Sequence, residues 1–289
     1  MLHQLFLIVF FSFMFFGNSA SAQDSYQTAV SLLYIDSEDD DNDTAKAKAI
    51  VLEYGLRNIK ITDQPWAEAS FLQRVGSIAL LLNQTDVDTS VSKQDSDQYY
   101  LGFSYLNPDT PFIFGANYGS TDSNINQSGS MGKTSTDTIG FELGYFVEKY
   151  TLVFFNYSKM DLESNDFILA YDSIESIDLN LKKIFLHQHG TATNITAAIE
   201  KDDYSSNNKN TTISIAGDYY LNMKHSVGAS IDNTSGDRKS SVGRSYGINT
   251  QIFITPLLSI AAEFSTFKAD DKTLADDYDT WTLDATVRF

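Results

Sequence analysis

The chain has no cysteine, four prolines and four histidines among its 289 residues. The missing cysteine excludes a disulfide framework and a thiolate metal site. Beyond the first 22 residues no apolar run approaches the roughly eighteen residues a membrane-spanning helix needs. Positive charge is also scarce, with 20 Lys and Arg against 38 Asp and Glu for a formal net charge of −18. No nucleic-acid partner is expected of so acidic a chain. What is abundant is aromatic: 13% Phe, Trp and Tyr, at a mean hydropathy of −0.22. A chain polar on average yet rich in alternating aromatic strands fits a membrane β-barrel, where one face of each strand meets lipid.

Met1 to Ala22 reads as a secretory signal peptide, leaving residues 23–289 as a single domain. Leu5 to Phe16 is apolar apart from Ser12, too short to span a bilayer comfortably, and Ser19 to Ala22 are small residues at the cleavage positions. No Lys or Arg precedes the run. The alternative is an uncleaved anchor helix.

The final stretch, Thr280 to Phe289, sets the pattern for the rest. Trp281, Leu283, Ala285, Val287 and Phe289 alternate with Thr280, Thr282, Asp284, Thr286 and Arg288, so one strand face is apolar and the other polar. Similar alternation recurs at thirteen further places: Ser25–Ile35, Ala45–Asn58, Arg74–Thr85, Asp97–Tyr105, Pro111–Gly119, Thr136–Val147, Tyr150–Met160, Ile174–Leu186, Thr191–Lys201, Thr211–Leu221, His225–Thr234, Ser241–Ile254 and Leu257–Lys268. Most are near the ~10 residues of a tilted transmembrane strand. The predicted fold is all-β, a transmembrane antiparallel up-and-down barrel of about fourteen strands, with twelve or sixteen as alternatives because bacterial barrels take even counts. Phe167–Tyr171 is left as either a strand extension or loop.

The connections sort into two sets. Leu106–Thr110, Glu148–Lys149, His187–Gly190, Asn222–Lys224 and Thr255–Pro256 are short. Asp36–Thr44, Asp86–Ser96, Ser120–Ser135, Asp161–Ser173, Asp202–Asn210, Ser235–Ser240 and Ala269–Asp279 are longer and on the opposite side. Short periplasmic turns and long external loops are the asymmetry of outer-membrane barrels, which puts both termini in the periplasm. Three of the long loops, Asp36–Thr44, Asp161–Ser173 and Ala269–Asp279, hold most of the net negative charge. Solvation of exposed loops is the plain reading of such runs; a vestibule concentrating cations is the functional one. Asp39, Asp41 and Asp43 are spaced like the start of an EF-hand, but Thr44 stands where Gly is needed and Ile50 where Glu is needed, so no metal or cofactor site is assigned.

One connection on the short side is long. Ile59 to Gln73 contains Pro65–Leu72, which reads as a short helix with Asp63 as its cap. Trp66 and Phe71 suit the aromatic belt at the periplasmic interface. The alternative is a plug entering the lumen.

The acidic-loop and aromatic-strand repeats, the segment PWAEASFLQR (Pro65–Arg74) and the closing strand resemble the general porins of Gram-negative bacteria. The resemblance covers nearly the whole chain after the signal peptide. It implies an outer-membrane channel for small hydrophilic solutes, surrounded by outer membrane lipid and lipopolysaccharide, with a homo-oligomer among the arrangements open to it. In outer-membrane barrels a terminal aromatic residue is part of the signal read by the barrel assembly machinery, a role that falls to Phe289. Porins with an acidic eyelet carry it on a long third loop; Ser120–Ser135, the longest external loop expected here, has no acidic cluster.

If apolar faces meet lipid, Glu53, Arg57, Glu142, Asp178, Lys182, Asp218, Glu263, Asp284 and Arg288 point inward as pore-lining residues. Small inward residues, Gly140, Gly144, Ser214, Ala216, Ser226, Gly228, Ser230, Ser245, Gly247, Ser259 and Ala261, favour an open lumen, and fourteen strands enclose more space than side chains alone fill. The net excess of inward acids implies a mild cation preference. An enzyme is not expected: His187, His189 and His225 sit at turns with no third metal ligand. The rival is a closed structural or adhesive barrel whose acidic loops bind a partner or divalent cations.

Overall fold

The computed structural model describes residues 25–289 except 41–42, 107, 128–129, 165–171, 188–190, 239–240 and 272–275. The expected signal peptide, His189 and Phe167–Tyr171 lie outside the described residues. Fourteen antiparallel strands close into one barrel: β1 (Ser25–Asp39), β2 (Thr44–Lys60), β3 (Ser77–Asp88), β4 (Ser92–Leu106), β5 (Phe112–Gln127), β6 (Ser130–Glu148), β7 (Thr151–Ser164), β8 (Ser173–Leu186), β9 (Ala192–Tyr204), β10 (Lys209–Asn222), β11 (His225–Gly236), β12 (Gly243–Thr255), β13 (Leu258–Ala269) and β14 (Tyr278–Arg288). Each strand pairs with its sequence neighbours, and β1 closes on β14 from Ala29↔Arg288 to Asp39↔Tyr278. The closure is tied by Phe289, whose N–H donates to the Thr28 carbonyl (2.7 Å) and whose own carbonyl accepts from Gln27 N–H (2.6 Å) and Thr28 N–H (3.0 Å). Closure leaves no edge strand with unpaired backbone groups, the condition for crossing a bilayer with strands.

Alternation fixes which face is which. Leu101, Phe103, Phe141, Leu143, Leu179, Ile215, Ile248 and Leu283 are all exposed on the outer face. Outer aromatic rings pair across strands, as with Phe264 and Trp281 at 4.7 Å and Phe112 and Tyr145 at 5.3 Å. Such pairs add to ladder stability where lipid surrounds the barrel.

The strand number and order agree with the sequence expectation, but the long loops do not. Most of Ser120–Ser135 is ladder, with Ser120↔Asp137 through Gln127↔Ser130 joining β5 and β6. Asp36, Glu38 and Asp39 belong to β1, Asp161 and Glu163 to β7, and Asp279 to β14. Between strand ends, the connections of the long set therefore span two to eight residues and those of the short set two to five, apart from residues 61–76. Backbone pairing does not need lipid, so the ladders continue past the apolar band, whereas apolar alternation marks only the lipid-facing part. The end carrying both termini and residues 61–76 is the short-turn end, and the other is the loop end.

Candidate functional site

Residues 61–76 lie inside the mouth at the short-turn end rather than against the outer interface. Pro65, in extended conformation (φ −52°, ψ 123°), precedes a 3-10 turn (Trp66–Glu68) that runs directly into a single helical turn, α1 (Ala69–Leu72). Pro65 rather than Asp63 occupies the capping position, and no side chain caps the turn. The helix ends on Arg74 with φ 52°. Arg74 N–H bonds the Phe71 carbonyl (3.0 Å) and Val75 N–H the Ser70 carbonyl (2.9 Å). This is the Schellman pattern, with Arg where glycine is usual. A left-handed residue with a side chain costs about 1–2 kcal/mol. The Arg74 guanidinium offsets this by stacking 4.0 Å over the Phe146 ring. Gly76 then passes the β4 backbone so closely that a Cβ there would come within 2.4 Å of the Ser104 carbonyl oxygen.

The segment touches inward side chains around the barrel. Trp66 is buried and meets Phe253 of β12 edge to face at 5.7 Å, while its indole N–H donates to the Thr62 carbonyl (3.0 Å). Phe71 packs on Phe146 of β6 at 5.5 Å. Ala69 and Val75 join Tyr26, Ile59 and Leu257, and Ala67, Phe71 and Leu72 pack on Ile184, Ala192 and Tyr220. Glu68 is buried, and its carboxylate takes a hydrogen bond from the Tyr220 hydroxyl (2.7 Å) and an ion pair from Lys182 (2.7 Å). A buried carboxylate needs such partners, because an unpaired one carries a large desolvation cost. The interface-anchor expectation for Trp66 and Phe71 is thus corrected. Apolar side chains on the inward face around this mouth offered the segment more apolar contact than the rim.

Above the segment the inward face is polar. All nine residues expected to point inward occupy the parity opposite the exposed apolar side chains. They fall into two groups. Glu142, Asp178 and Glu200 lie on one row across β6 to β9, with Glu142↔Asn156, Asn156↔Asp178 and Asp178↔Glu200 directly opposed. Asn156 donates to Asp178 (2.9 Å), and Asn180 donates to the same carboxylate oxygen. Asp218 accepts from Asn194 (3.1 Å). A cavity of about 390 Å³ opens directly over the segment, with Glu68, Asp218, Tyr220, Gln251, Glu263 and Asp284 in its wall. Glu53 faces the lumen from β2, beside an apolar inner wall formed by Leu33, Ala49, Val51 and Leu81.

The three bases form the second group. Lys182 pairs with Glu68 and sits 4.7 Å over the Phe71 ring. Arg288 donates to the Trp66 carbonyl (3.1 Å) and lies over the Tyr26 and Phe253 rings. Arg57 donates to the carbonyls of Gln73 and of Arg74, the latter at 2.7 Å. Each of them contacts residues 61–76. Every other Lys or Arg on a described strand falls on the outward parity. Outside this site, His187 bonds Thr193 (2.9 Å) and His225 bonds Thr250 (3.2 Å).

Glu200 and Asp232 also face inward, and the same parity reasoning reaches them from Ile199 and Ile231, which are exposed on the outer face. Glu68 could not be found that way. Its signal was indirect: Leu106, Ile113, Phe146, Leu152, Ile184 and Phe253 are apolar at inward positions beside the short turns, and such side chains require something to cover them. The small inward residues also act differently from expectation. A Cβ at Gly228 would come within 2.2 Å of an Asp218 carboxylate oxygen, and one at Gly140 within 2.5 Å of the Asn117 amide oxygen. These glycines seat neighbouring polar side chains against the wall instead of simply widening the lumen.

A family model described as "Putative general bacterial porin" matches residues 4–289. The chain belongs to this porin family. No curated protein matches the porin's sequence. Among solved structures it is similar to the outer membrane protein Omp33 of Acinetobacter baumannii, at 19% identity over 93% of this chain and 100% of that one, with a TM-score of 0.64. It is also similar to a deletion mutant of the monoaromatic hydrocarbon channel TodX (12% identity, 93% and 91% covered, TM-score 0.53) and to a FadL homologue of Pseudomonas aeruginosa (11%, 92% and 90%, 0.51). At these identities the likeness is one of fold. The porin is an outer-membrane channel barrel.

Proposed function

We propose that this porin is a passive diffusion channel for small hydrophilic solutes with a preference for cations. Its short turns and both termini face the periplasm, and Phe289 serves the barrel assembly machinery. The observation that carries the reading is the charge on the inward face: Glu142, Asp178, Glu200, Asp218, Glu263 and Asp284 face the lumen above residues 61–76 and Glu53 faces it on the row of Arg288, while the inward bases sit against that segment. Carboxylates between low-dielectric walls focus the field and raise local cation concentration. Charges at the loop end contribute less at moderate salt, since a Debye length is about 8–10 Å. The segment narrows the periplasmic mouth, so a small unitary conductance is expected for a barrel of this strand number.

Recording single channels of the refolded protein in a planar bilayer tests this. A reversal potential across a KCl gradient should show K⁺ favoured over Cl⁻. Absence of any conductance would remove the channel reading and leave the closed, partner-binding barrel; anion preference would remove only the selectivity.

A further inference from the structure

The three inward bases, Arg57, Lys182 and Arg288, are each engaged by the same short segment. We infer that residues 61–76 set the charge selectivity of the lumen, with Glu68 as the specificity-determining residue that neutralises Lys182. The inference deepens the channel reading and rests on it.

The geometry gives the three bases different fates. Arg57 and Arg288 are bound by backbone carbonyls, of Gln73 and Arg74 and of Trp66 respectively. Carbonyls orient a guanidinium without cancelling its charge, but they hold it at the mouth, away from the Glu142–Asp178–Glu200 row. Arg288 is further covered by the rings of Tyr26 and Phe253. Lys182 differs. It lies on β8 two inward positions from Asp178, so without a partner its ammonium would stand next to that row. Instead it meets the Glu68 carboxylate at 2.7 Å. Glu68 also forms part of the wall of the acidic cavity. The pair is therefore neutral where a single charge would face permeating ions. The Tyr220 hydroxyl, donating to the other carboxylate oxygen at 2.7 Å, fixes Glu68 in place without changing the charge. The segment thus does two things at once: it narrows the path and takes Lys182 out of the electrostatic balance.

A charge cycle tests this in the full-length refolded protein. Relative to wild type, Glu68→Gln leaves a net +1 at the pair, Lys182→Met leaves −1, and the double variant is again neutral. One unit charge roughly 10 Å from an aqueous path changes local ion concentration about two-fold, so the K⁺/Cl⁻ permeability ratio should change about two- to four-fold. The ratio should fall in Glu68→Gln, rise in Lys182→Met and return to wild type in the double variant, at low salt. Heat-modifiable gel migration would show that each variant is folded, and Lys182→Gln replaces Lys182→Met if the latter is not. If the pair only held the segment in place, both single variants would raise conductance and move selectivity in the same direction; that result, or an unchanged ratio in all three, overturns the inference. A wild-type protein that conducts without this pattern defeats the inference alone. One that does not conduct at all defeats the channel reading and the inference with it.

Discussion

The inward faces of the same strands change character along their length. On β6 the sequence Gly140, Glu142, Gly144 gives way to Phe146; on β8, Asp178, Asn180 and Lys182 to Ile184 and Leu186; on β12, Asn249 and Gln251 to Phe253. On these strands the upper lumen is polar or glycine. The short-turn mouth is a set of apolar clusters closed over by Trp66, Ala69, Phe71 and Val75. Outer positions show no such change, since lipid surrounds the whole spanning region. The difference shows that this mouth is built as a small hydrophobic core inside a membrane barrel. Burying a Trp or Phe there stabilises the segment by roughly 1.5–3 kcal/mol each on the usual transfer scale. A segment with only one helical turn needs that packing, because so short a helix is not stable alone.

The strongest way to break the comparison is to remove the core. Replacing Asp63–Leu72 by a flexible Gly-Ser linker should raise unitary conductance several-fold and lower cation preference, since Lys182 loses the Glu68 carboxylate and Arg288 the Trp66 carbonyl. Single-channel recording at symmetrical KCl reads the first effect, and conductance unchanged from wild type would show that the segment does not obstruct the path.

Deleting Phe289 removes three backbone hydrogen bonds that join the chain end to Gln27 and Thr28. Each is worth about 1 kcal/mol net. Folded protein recovered from outer membranes should drop well below wild type, to be measured by heat-modifiable migration of membrane fractions. Equal recovery would argue against both the closure and the assembly-signal role.

Gly76→Ala probes where the segment rejoins the wall. The added methyl would clash with the Ser104 carbonyl oxygen at 2.4 Å and the Leu106 nitrogen at 2.8 Å, both backbone atoms that cannot swing away. Overpacking of this kind costs about 1–3 kcal/mol. Urea unfolding in lipid vesicles should show a lower midpoint, whereas Gly140→Ala, facing only the movable Asn117 side chain, should cost less.

The smallest effect sharpens the other side of the comparison. Changing Glu142, Asp218 and Glu263 to Gln, Asn and Gln should move the KCl reversal potential toward zero without altering folded yield. Asp178, Glu200 and Asp284 remain, so some K⁺ preference should persist; a full loss would mean that these three carboxylates do not sustain the preference by themselves.

Much of this is legible in the sequence. Alternation located the fourteen strands, because a residue in a barrel strand has only two directions to point. The same parity put Glu53, Glu142, Asp178, Asp218, Glu263 and Asp284 on the inner face. It failed beyond the apolar band, where β5 and β6 continue through Ser120–Ser135 with no apolar partner to mark them. It also could not say that the space beside Gly228 would be taken by the Asp218 carboxylate, since the gap left by a missing side chain belongs to whichever neighbour reaches it.

The local sequence of Pro65–Leu72 determined a turn of helix with Trp and Phe on it, and no more. The membrane interface and the barrel mouth both suit an amphipathic Trp, so its own sequence cannot choose between them. The choice was made by Phe146, Phe253, Ile184 and Tyr220, which come from four strands and meet only once the barrel has closed. The pairing of Glu68 with Lys182, 114 positions away in the chain, follows from the same closure. Strand direction is a property of adjacent residues and is written locally; what fills a lumen depends on every wall at once.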